Sequence, residues 1–540
     1  MILQILLPIV GTLLFYILFH ASQIIYRNLS SPLRYIGGPK NHSIIFGNMK
    51  QMGDDAYLTT KWRAQYGPIF RFRGPFSMNE LHTSDIKSVN HIVTNPTIYQ
   101  KPKTMLASAA HLLGGGILSV ESDEHKRHRR ALNPAFGVSQ IRQVTEIFNE
   151  KGVQLRELWN RELSQSNGGK IEIEVLSWMR RLTLDVIGQA GFNYQFNALE
   201  PKGKPNELSE VFSELFHSPH ANSYARYRIA QAIIPLLKFI PGPGYNVVLA
   251  ARHRMLGIGR QIVSASKAKI LATPEEKTLT GKRDLLSTLL KANLSTAIPD
   301  TQRLNDREVI AQIPNFFLAG HETTSSAVSW ALYALSEHPL VQKALREELL
   351  SLPTDNPTMD ELNALPYLEQ VVRETMRVHA PAVFTQRIAV ADDVLPLSKP
   401  YIDKDGKSHD SLAIAKGQMI HIPILAINTD PEIWGDDAAQ FKPERWENLP
   451  ESVSVVPGVW ANLFTFFAGP HNCIGFRFSL AELKALLFIL IRAFEFEPAV
   501  AKGDIIRVTT GLLQRPTVRG KGHHGSGLPL MVRQYNAAEQ

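Results

Sequence analysis

The sequence predicts a mainly helical globular protein with small β-sheets. Helical periodicity covers most of the 540 residues, and strand-like segments are confined to Ile69–Arg73, Ile388–Val394 and Met419–Pro423. Strands and helices do not alternate as they do in a doubly wound parallel sheet. With 44% hydrophobic and 20% charged residues, a chain of this length can bury one large core or several ordinary ones.

The first predicted element is a membrane anchor in residues 1–26. The sequence is almost continuously apolar over residues 2–19, which is about the length that crosses a bilayer. A cleaved secretory signal is the rival interpretation, but no basic residue precedes the apolar segment and the segment is longer than a usual signal core. Arg27 and Arg34 follow it and favour a cytosolic location for the rest of the chain.

A hinge and entry segment is predicted at residues 27–50, because Pro32 and Pro39 and the glycines near them interrupt any helix. Residues 51–540 then form the globular domain. The most prominent helix within it is predicted over residues 307–337. Pro314 lies inside that helix and should kink or loosen it, since proline removes a backbone donor.

Cys473, the only cysteine, lies between Gly469 and Gly475, directly before an amphipathic helix predicted from Phe478 onward. The glycines allow a tight turn and the close approach of a large flat partner, and a helix N-terminus favours a thiolate. One thiolate cannot build a structural zinc site or a thiolate-ligated iron–sulfur cluster, but it suffices as the axial ligand of a heme iron. A buried structural cysteine is the alternative.

A second motif, Ala-Gly-His-Glu-Thr-Thr, occupies residues 319–324 of the long helix. We expect the hydroxyl of Thr323 to donate to the carbonyl of Ala319 and so loosen the helix, while Gly320 leaves space for a diatomic ligand. Glu322 is a candidate link to solvent protons.

A third motif combines Glu374 with Arg377 and Arg445. Glutamate and arginine at this helical spacing usually form an ordinary surface ion pair. However, Arg445 follows Arg377 by 68 residues and precedes Cys473 by 28. Glu374 can accept from both arginines, which predicts a buried structural network.

In this order and spacing, the three motifs resemble those of the cytochrome P450 family of heme-thiolate monooxygenases. The cysteine segment fits the pattern Phe-x-x-Gly-x-x-x-Cys-x-Gly from Phe466 onward. The likeness covers nearly the whole chain and is closest to the eukaryotic microsomal branch, with a fungal character. It implies the prism-like fold of that family, an N-terminal transmembrane anchor, and a catalytic domain on the cytosolic side of the endoplasmic reticulum membrane.

The resemblance also implies roles for individual residues. Cys473 would bind the iron of heme b, Thr323 and Glu322 would serve proton delivery, and Phe466 and Gly320 would contact the heme. The positions that match heme propionate partners are His125, Arg129, Arg387 and His471. The family usually has tryptophan at the first of these positions and arginine at the last, so both histidines are departures from the pattern.

The implied reaction inserts one oxygen atom of O2 into a lipophilic small molecule, in secondary metabolism or xenobiotic oxidation. Electrons would come from NADPH through a P450 reductase, and no nucleic acid is expected despite the net charge of +8. The apolar residues 229–241 would dip into the membrane. The segments that match pocket walls in the family carry Leu112, Leu113, Ile117, Phe316, Phe317, Val383, Phe384, Leu512 and Leu513.

Three alternatives stay open. The first is an isomerase or dehydratase of the same fold that works without reductase, and the second is a non-catalytic heme sensor. The third is a thiol hydrolase that uses Cys473 with His471 as base, although two residues on one tight loop are poorly placed for this. A basic cluster at residues 126–130 is either a solvated helix face or a docking surface for an acidic electron-transfer partner.

Overall fold

The structure, a computed structural model, describes most of the chain. The described residues are 2–55, 57–166, 169–200, 207–216, 223–224, 227, 231, 237, 240–272, 284–294, 299, 302–520 and 527–536. The apolar segment 229–241 lies for the most part outside the described residues, so its membrane role stays a prediction.

Helices dominate, as the sequence predicts. In chain order they are α1 (Ile2–Ser30), α2 (Met49–Asp54), α3 (Leu58–Tyr66), α4 (Ile86–Thr94), α5 (Lys103–Leu113), α6 (Ser122–Leu132), α7 (Val138–Ser164), α8 (Val175–Phe192), α9 (Glu207–Phe216), α10 (Tyr245–Ala272), α11 (Leu285–Leu294), α12 (Asp306–Glu337), α13 (Pro339–Leu350), α14 (Met359–Asn363), α15 (Pro366–Val378), α16 (Ile424–Asn428), α17 (Pro431–Trp434) and α18 (Phe476–Ala493).

The strands are short. They are β1 (Ile69–Arg73), β2 (Asn79–Thr83), β3 (Tyr99–Gln100), β4 (Lys170–Glu174), β5 (Thr385–Ala389), β6 (Asp393–Ile402), β7 (Ser408–Ile414), β8 (Met419–Ile422), β9 (Phe494–Pro498), β10 (Ile505–Thr510), β11 (Leu513–Val518) and β12 (Pro529–Gln534). They form sheets with the strand orders β1-β2-β8-β5-β3, β4-β12-β9, β6-β7 and β10-β11.

The chain divides into two compact units. The first comprises Met1–Pro102, Phe384–Ile427 and Val455–Pro457, and it contains the five-stranded sheet and the β6-β7 hairpin. The second comprises Lys103–Val383, Asn428–Ser454 and Gly458–Gln540. The boundaries at residues 26 and 50 that the sequence predicts do not coincide with this division and stay predictions.

The core of the second unit is built around α12 and α18, which pack mainly against α8 and α7, respectively. The start of α12 is fixed by a reciprocal cap in which Asn305 accepts from the backbone N–H of Glu308 at 3.0 Å, and the Glu308 carboxylate accepts from that of Asn305 at 2.8 Å. The helix continues through Pro314 to Glu337. Its predicted extent is therefore confirmed.

Two of the three predicted strands match β1 and β8. The third prediction, Ile388–Val394, is wrong in its boundaries, because these residues straddle the end of β5 and the start of β6. Periodicity alone did not reveal the break, since apolar residues continue without interruption from Ile388 to Ala391, past the end of β5. Among the residues that the structure describes, no helix is long and apolar enough to cross a membrane.

Candidate functional site

Cys473 lies on a tightly constrained loop between a helical turn at Phe464–Phe466 and α18. Its backbone N–H donates to the carbonyl of Phe466 at 2.8 Å. Gly469 has a φ of +66°, a left-handed conformation that side chains rarely adopt, and Phe467 is held at +61° without being a glycine. A backbone strained in this way persists only where its surroundings fix it, so the loop presents the thiol in one conformation.

The thiol of Cys473 is accessible even though protein surrounds it. This combination indicates a side chain that lines an internal space. Burial raises the pKa of the Cys473 thiol, against the opposing effects of the Gly475 N–H and the Arg129 guanidinium. The helix N-terminus therefore does not by itself make a thiolate here, as the sequence had suggested. A metal bound to the sulfur would deprotonate it.

The predicted propionate partners on α6 meet the cysteine loop. The ring of His125 stacks on that of His471 with centroids 4.2 Å apart. Arg129 donates to the carbonyl and to the side-chain oxygen of Asn472, and burial lowers its pKa while the nearby Cys473 opposes that effect. The structure therefore brings three of the four predicted residues together at the cysteine.

His471 has a partner that the sequence did not reveal. Its Nε2 lies 2.7 Å from a carboxylate oxygen of Glu121, which directly precedes α6. This contact fixes the imidazole of His471 between Glu121 and the ring of His125. A thiol hydrolase would need this imidazole to face Cys473, and no observed contact favours that arrangement.

Arg387, the fourth predicted propionate partner, belongs to the first unit. It lies on β5 and donates to the hydroxyl of Thr385 at 2.9 Å and to the carbonyl of Gln386 at 2.7 Å. Its role at a heme stays a prediction.

The predicted bond between Thr323 and Ala319 of α12 is present, while the loosening of the helix stays a prediction. The hydroxyl of Thr323 donates to the carbonyl of Ala319 at 2.6 Å. Both residues are accessible in the middle of a helix that is otherwise mostly buried. One residue further along, the hydroxyls of Thr324 and Ser479 lie 3.2 Å apart, which places this part of α12 beside the start of α18 and the cysteine loop.

Glu322 is fully buried in a group of charged side chains. Arg515 of β11 donates to its carboxylate at 2.7 Å, and Arg180 and His321 lie 3.9 and 3.5 Å from it. Burial lowers the pKa of Arg180, and the Glu322 carboxylate opposes this. To pass protons, the Glu322 carboxylate would therefore have to separate from Arg515 and contact a group that can release a proton. Its role in proton delivery stays a prediction.

Gly320 has a packing role that the sequence did not predict. A Cβ at this position would lie 3.0 Å from the side chain of Ile187 on α8, so the glycine permits the two helices to approach closely. Its predicted role in leaving space for a ligand stays a prediction.

The predicted contacts of Glu374 are all present and fully buried. Arg377 donates twice to its carboxylate, at 2.9 and 2.7 Å, and Arg445 donates at 3.3 Å. Two further donors were not foreseen, namely the indole of Trp446 at 3.1 Å and the backbone N–H of Lys442 at 2.9 Å. Arg377 also donates to three carbonyls, those of Asn428, Ala438 and Gln440.

The basic cluster on α6 is not a uniformly solvated face. Arg127 forms a two-pronged ion pair with Glu308 of α12, and His128 is completely buried beside it. Since Arg129 binds the cysteine loop, two of the four cationic side chains hold α6 in place. Lys126 and Arg130 are the exposed cations of this cluster, and Arg130 also donates to the side-chain oxygen of Gln302 at 2.6 Å.

Four of the predicted pocket-wall residues are buried core residues, namely Leu113, Ile117, Phe316 and Phe317. Phe317 is fully buried, with ring centroids 4.7 and 5.1 Å from those of Phe192 and Phe196. Phe316 packs edge-on against Phe136. These aromatic contacts hold α12 against α8 and the segment after α6.

The residues around Cys473 fit a heme. The site offers one accessible sulfur donor, an arginine and two imidazoles beside it, and a nearby helix whose accessible middle carries the Thr323–Ala319 bond. A soft sulfur ligand for iron and cationic groups for two carboxylates are the donors that heme requires. Cys473 would hold the iron, and Arg129 would face a propionate.

Comparison with known proteins agrees with this geometry. A family model described as Cytochrome P450 matches residues 36–519. Cytochrome P450 monooxygenase 205 of the fungus Postia placenta is 48% identical to the chain over 94% of both sequences. Cytochrome P450 monooxygenase 128 of the same fungus is 46% identical over 97% of both sequences. Cytochrome P450 monooxygenase claO of Ampulloclitocybe clavipes is 34% identical, with 94% of each chain covered. The chain therefore belongs to the cytochrome P450 family of oxidoreductases and is similar to its fungal members.

Proposed function

We propose that this enzyme inserts one oxygen atom of O2 into a C–H or C=C bond of a lipophilic small molecule, by hydroxylation or epoxidation. The observation that carries the proposal is the accessible thiol of Cys473 on its constrained loop, with Arg129 beside it. When bound, a thiolate-ligated heme supplies the activation of O2 and favours cleavage of the O–O bond. The names of the relatives, all monooxygenases, support the same reaction class.

The residues of α12 support the proton transfers that this chemistry needs. Because the hydroxyl of Thr323 donates to Ala319, its oxygen remains free to accept a hydrogen bond. A proton donor bound in this way would be held on the accessible side of the helix. Glu322 is the nearest carboxylate in sequence, and it accepts a hydrogen bond from Arg515. We propose that Thr323 positions the donated proton and that Glu322 exchanges protons when it parts from Arg515.

The electron donor and the membrane belong to the proposal as well. We propose that NADPH supplies electrons through a P450 reductase, which would contact the exposed cations of α6. We also propose that residues 2–19 anchor the enzyme in the endoplasmic reticulum membrane, with the catalytic chain in the cytosol. The apolar sequence of this segment supports the anchor. Alkaline extraction of microsomes tests it, since a chain that lacks residues 2–26 should be released while the full chain stays with the membrane.

The decisive experiment is the optical spectrum of the reduced, carbon-monoxide-bound protein, compared with that of Cys473→Ser. We expect a strongly red-shifted Soret band that the variant lacks, because serine does not provide a thiolate. No heme band in a well-folded parent protein would refute the proposal.

A second experiment adds NADPH, reductase and a panel of lipophilic compounds to the holo-protein. Oxygenated product at the expense of NADPH supports a monooxygenase. Product without reductase would instead indicate an isomerase or dehydratase, and a heme protein that consumes no NADPH with any compound would indicate a sensor.

A further inference from the structure

Three consecutive glycines, Gly114, Gly115 and Gly116, connect α5 to the turn at Ile117–Ser119. Two of them lie against α12. Gly114 has a φ of +82°, and a Cβ on it would lie 3.1 Å from the side chain of Ala311. A Cβ on Gly116 would lie 2.2 Å from the side-chain nitrogen of Asn315, closer than any real contact. Residues 113–119, the glycine loop, can therefore reach α12 only because these two positions lack side chains.

Two amide side chains of α12 hold the glycine loop. Asn315 accepts from the backbone N–H of Leu118 at 3.4 Å and donates to the carbonyl of Leu113 at 3.4 Å. Gln312 accepts from the N–H of Ile117 at 3.1 Å and points its amide nitrogen at His128 of α6, 3.2 Å from Nδ1. Both amides are 1% exposed. Buried amides in this arrangement make hydrogen bonds that water does not compete for.

These contacts lie next to the accessible part of α12. Residues at spacings of three and four share a helix face, so Gln312 and Asn315 are on the same face as Ala319 and Thr323, one to two turns before Ala319. Pro314 lies between the two amides. Within the glycine loop, the side chain of Leu118 is 38% exposed although its backbone is tied to Asn315. The two amides therefore fix the backbone of a loop that carries an exposed apolar side chain, and they do so from the same helix face as the proposed oxygen-binding part.

We propose that Asn315 and Gln312 are positioning residues that determine which lipophilic molecules fit, by fixing the glycine loop over this face of α12. The inference rests on the proposed function, since it concerns the same site. A fixed loop favours the binding of a bulky ligand that contacts it, because the loop is already ordered and its ordering does not reduce the binding free energy. A small ligand that contacts only the iron would not depend on the loop.

The adjacent glycines provide a matched pair of variants. A Cβ on Gly116 collides with Asn315, whereas a Cβ on Gly115 meets nothing within 4 Å. The probes are imidazole and 4-phenylimidazole, titrated into holo-protein and followed by the Soret shift. We expect Gly116→Ala to weaken 4-phenylimidazole binding about tenfold while changing imidazole binding less than about twofold, and Gly115→Ala to leave both unchanged.

A double-mutant cycle tests whether Gly116 acts through Asn315. Removing the amide removes two of the three collisions, so Gly116→Ala combined with Asn315→Ala should be no weaker for 4-phenylimidazole than Asn315→Ala alone. Additive losses, equal effects at both glycines, or an unchanged ratio of the two affinities would overturn the inference. If Asn315→Ala takes up no heme, the two glycine variants decide alone. A parent protein without a thiolate-ligated carbon-monoxide spectrum would refute the proposed function itself.

Discussion

Replacing Glu374 with alanine should remove the acceptor of five hydrogen bonds in a fully buried site. The donors are Arg377, which donates twice, together with Arg445, Trp446 and the backbone of Lys442. Breaking a buried ion pair from one side costs about 3–5 kcal/mol, because the remaining charge stays buried without its partner. An indole N–H left without an acceptor costs about 1–3 kcal/mol more.

Some of this loss is recovered locally. Arg377 keeps its three carbonyl acceptors, and Arg445 keeps Asp437, which together with Glu374 raises its pKa against the effect of burial. We therefore expect a net destabilisation of about 4 kcal/mol, a large part of the 5–15 kcal/mol that stabilises a typical protein. Because residues 442–446 lead toward the cysteine loop, the variant should fail to retain heme.

The assay is the amount of reduced carbon-monoxide spectrum per milligram of purified protein, together with the urea midpoint of unfolding. Glu374→Gln, which keeps one acceptor oxygen, should fall between parent and alanine variant. The control is Asp360→Ala, which removes a surface ion pair with Arg142 whose aspartate is 63% exposed and which should cost no more than about 1 kcal/mol. Equal heme content in Glu374→Ala and the parent would refute the reasoning.

Three further predictions concern α12 and its contacts. Thr323→Ala should divert NADPH consumption from product to hydrogen peroxide, lowering product per NADPH about tenfold or more at unchanged heme content, and coupling equal to the parent's would contradict this. Gly320→Ala should lower stability by about 1–3 kcal/mol in thermal unfolding, and Ile187→Ala in the same chain should restore part of it, since the new Cβ meets that side chain at 3.0 Å. The Arg127 ion pair lowers the pKa of Glu308 to about 2, so its contribution is present above the unfolded pKa and is lost as the pH falls from about 5 toward 2. Urea midpoints of Arg127→Gln should therefore decline less steeply with acid than those of the parent, and parallel declines would contradict the assignment.

Local patterns predicted much of the site. The Thr323–Ala319 bond spans four residues of one helix, and Glu374 and Arg377 are neighbours on another, so helical geometry alone places them. The approach of Arg445 required knowledge of a family arrangement, because nothing in the sequence between Arg377 and Arg445 indicates where that segment returns.

The contacts that the sequence did not reveal are those between distant segments. Glu121 meets His471 across 350 residues, and Asn315 meets the glycine loop across 197. The one available signal was the run Gly114-Gly115-Gly116, which indicates a close approach but not its partner. The role of Gly320 was similarly ambiguous, because a glycine in a helix serves either a ligand or a neighbouring helix, and Ile187 is known only from the fold.

The three-stranded sheet of the second unit has β12 at its centre, between β4 and β9. During synthesis, β4 is completed hundreds of residues before β12 exists, and β9 also precedes it. Until β12 arrives, each of these strands has an unpaired edge that can pair with another chain. Because this sheet closes so late, the emerging chain is vulnerable to aggregation until synthesis has passed residue 534. A chain that stops short of β12 leaves both edges open.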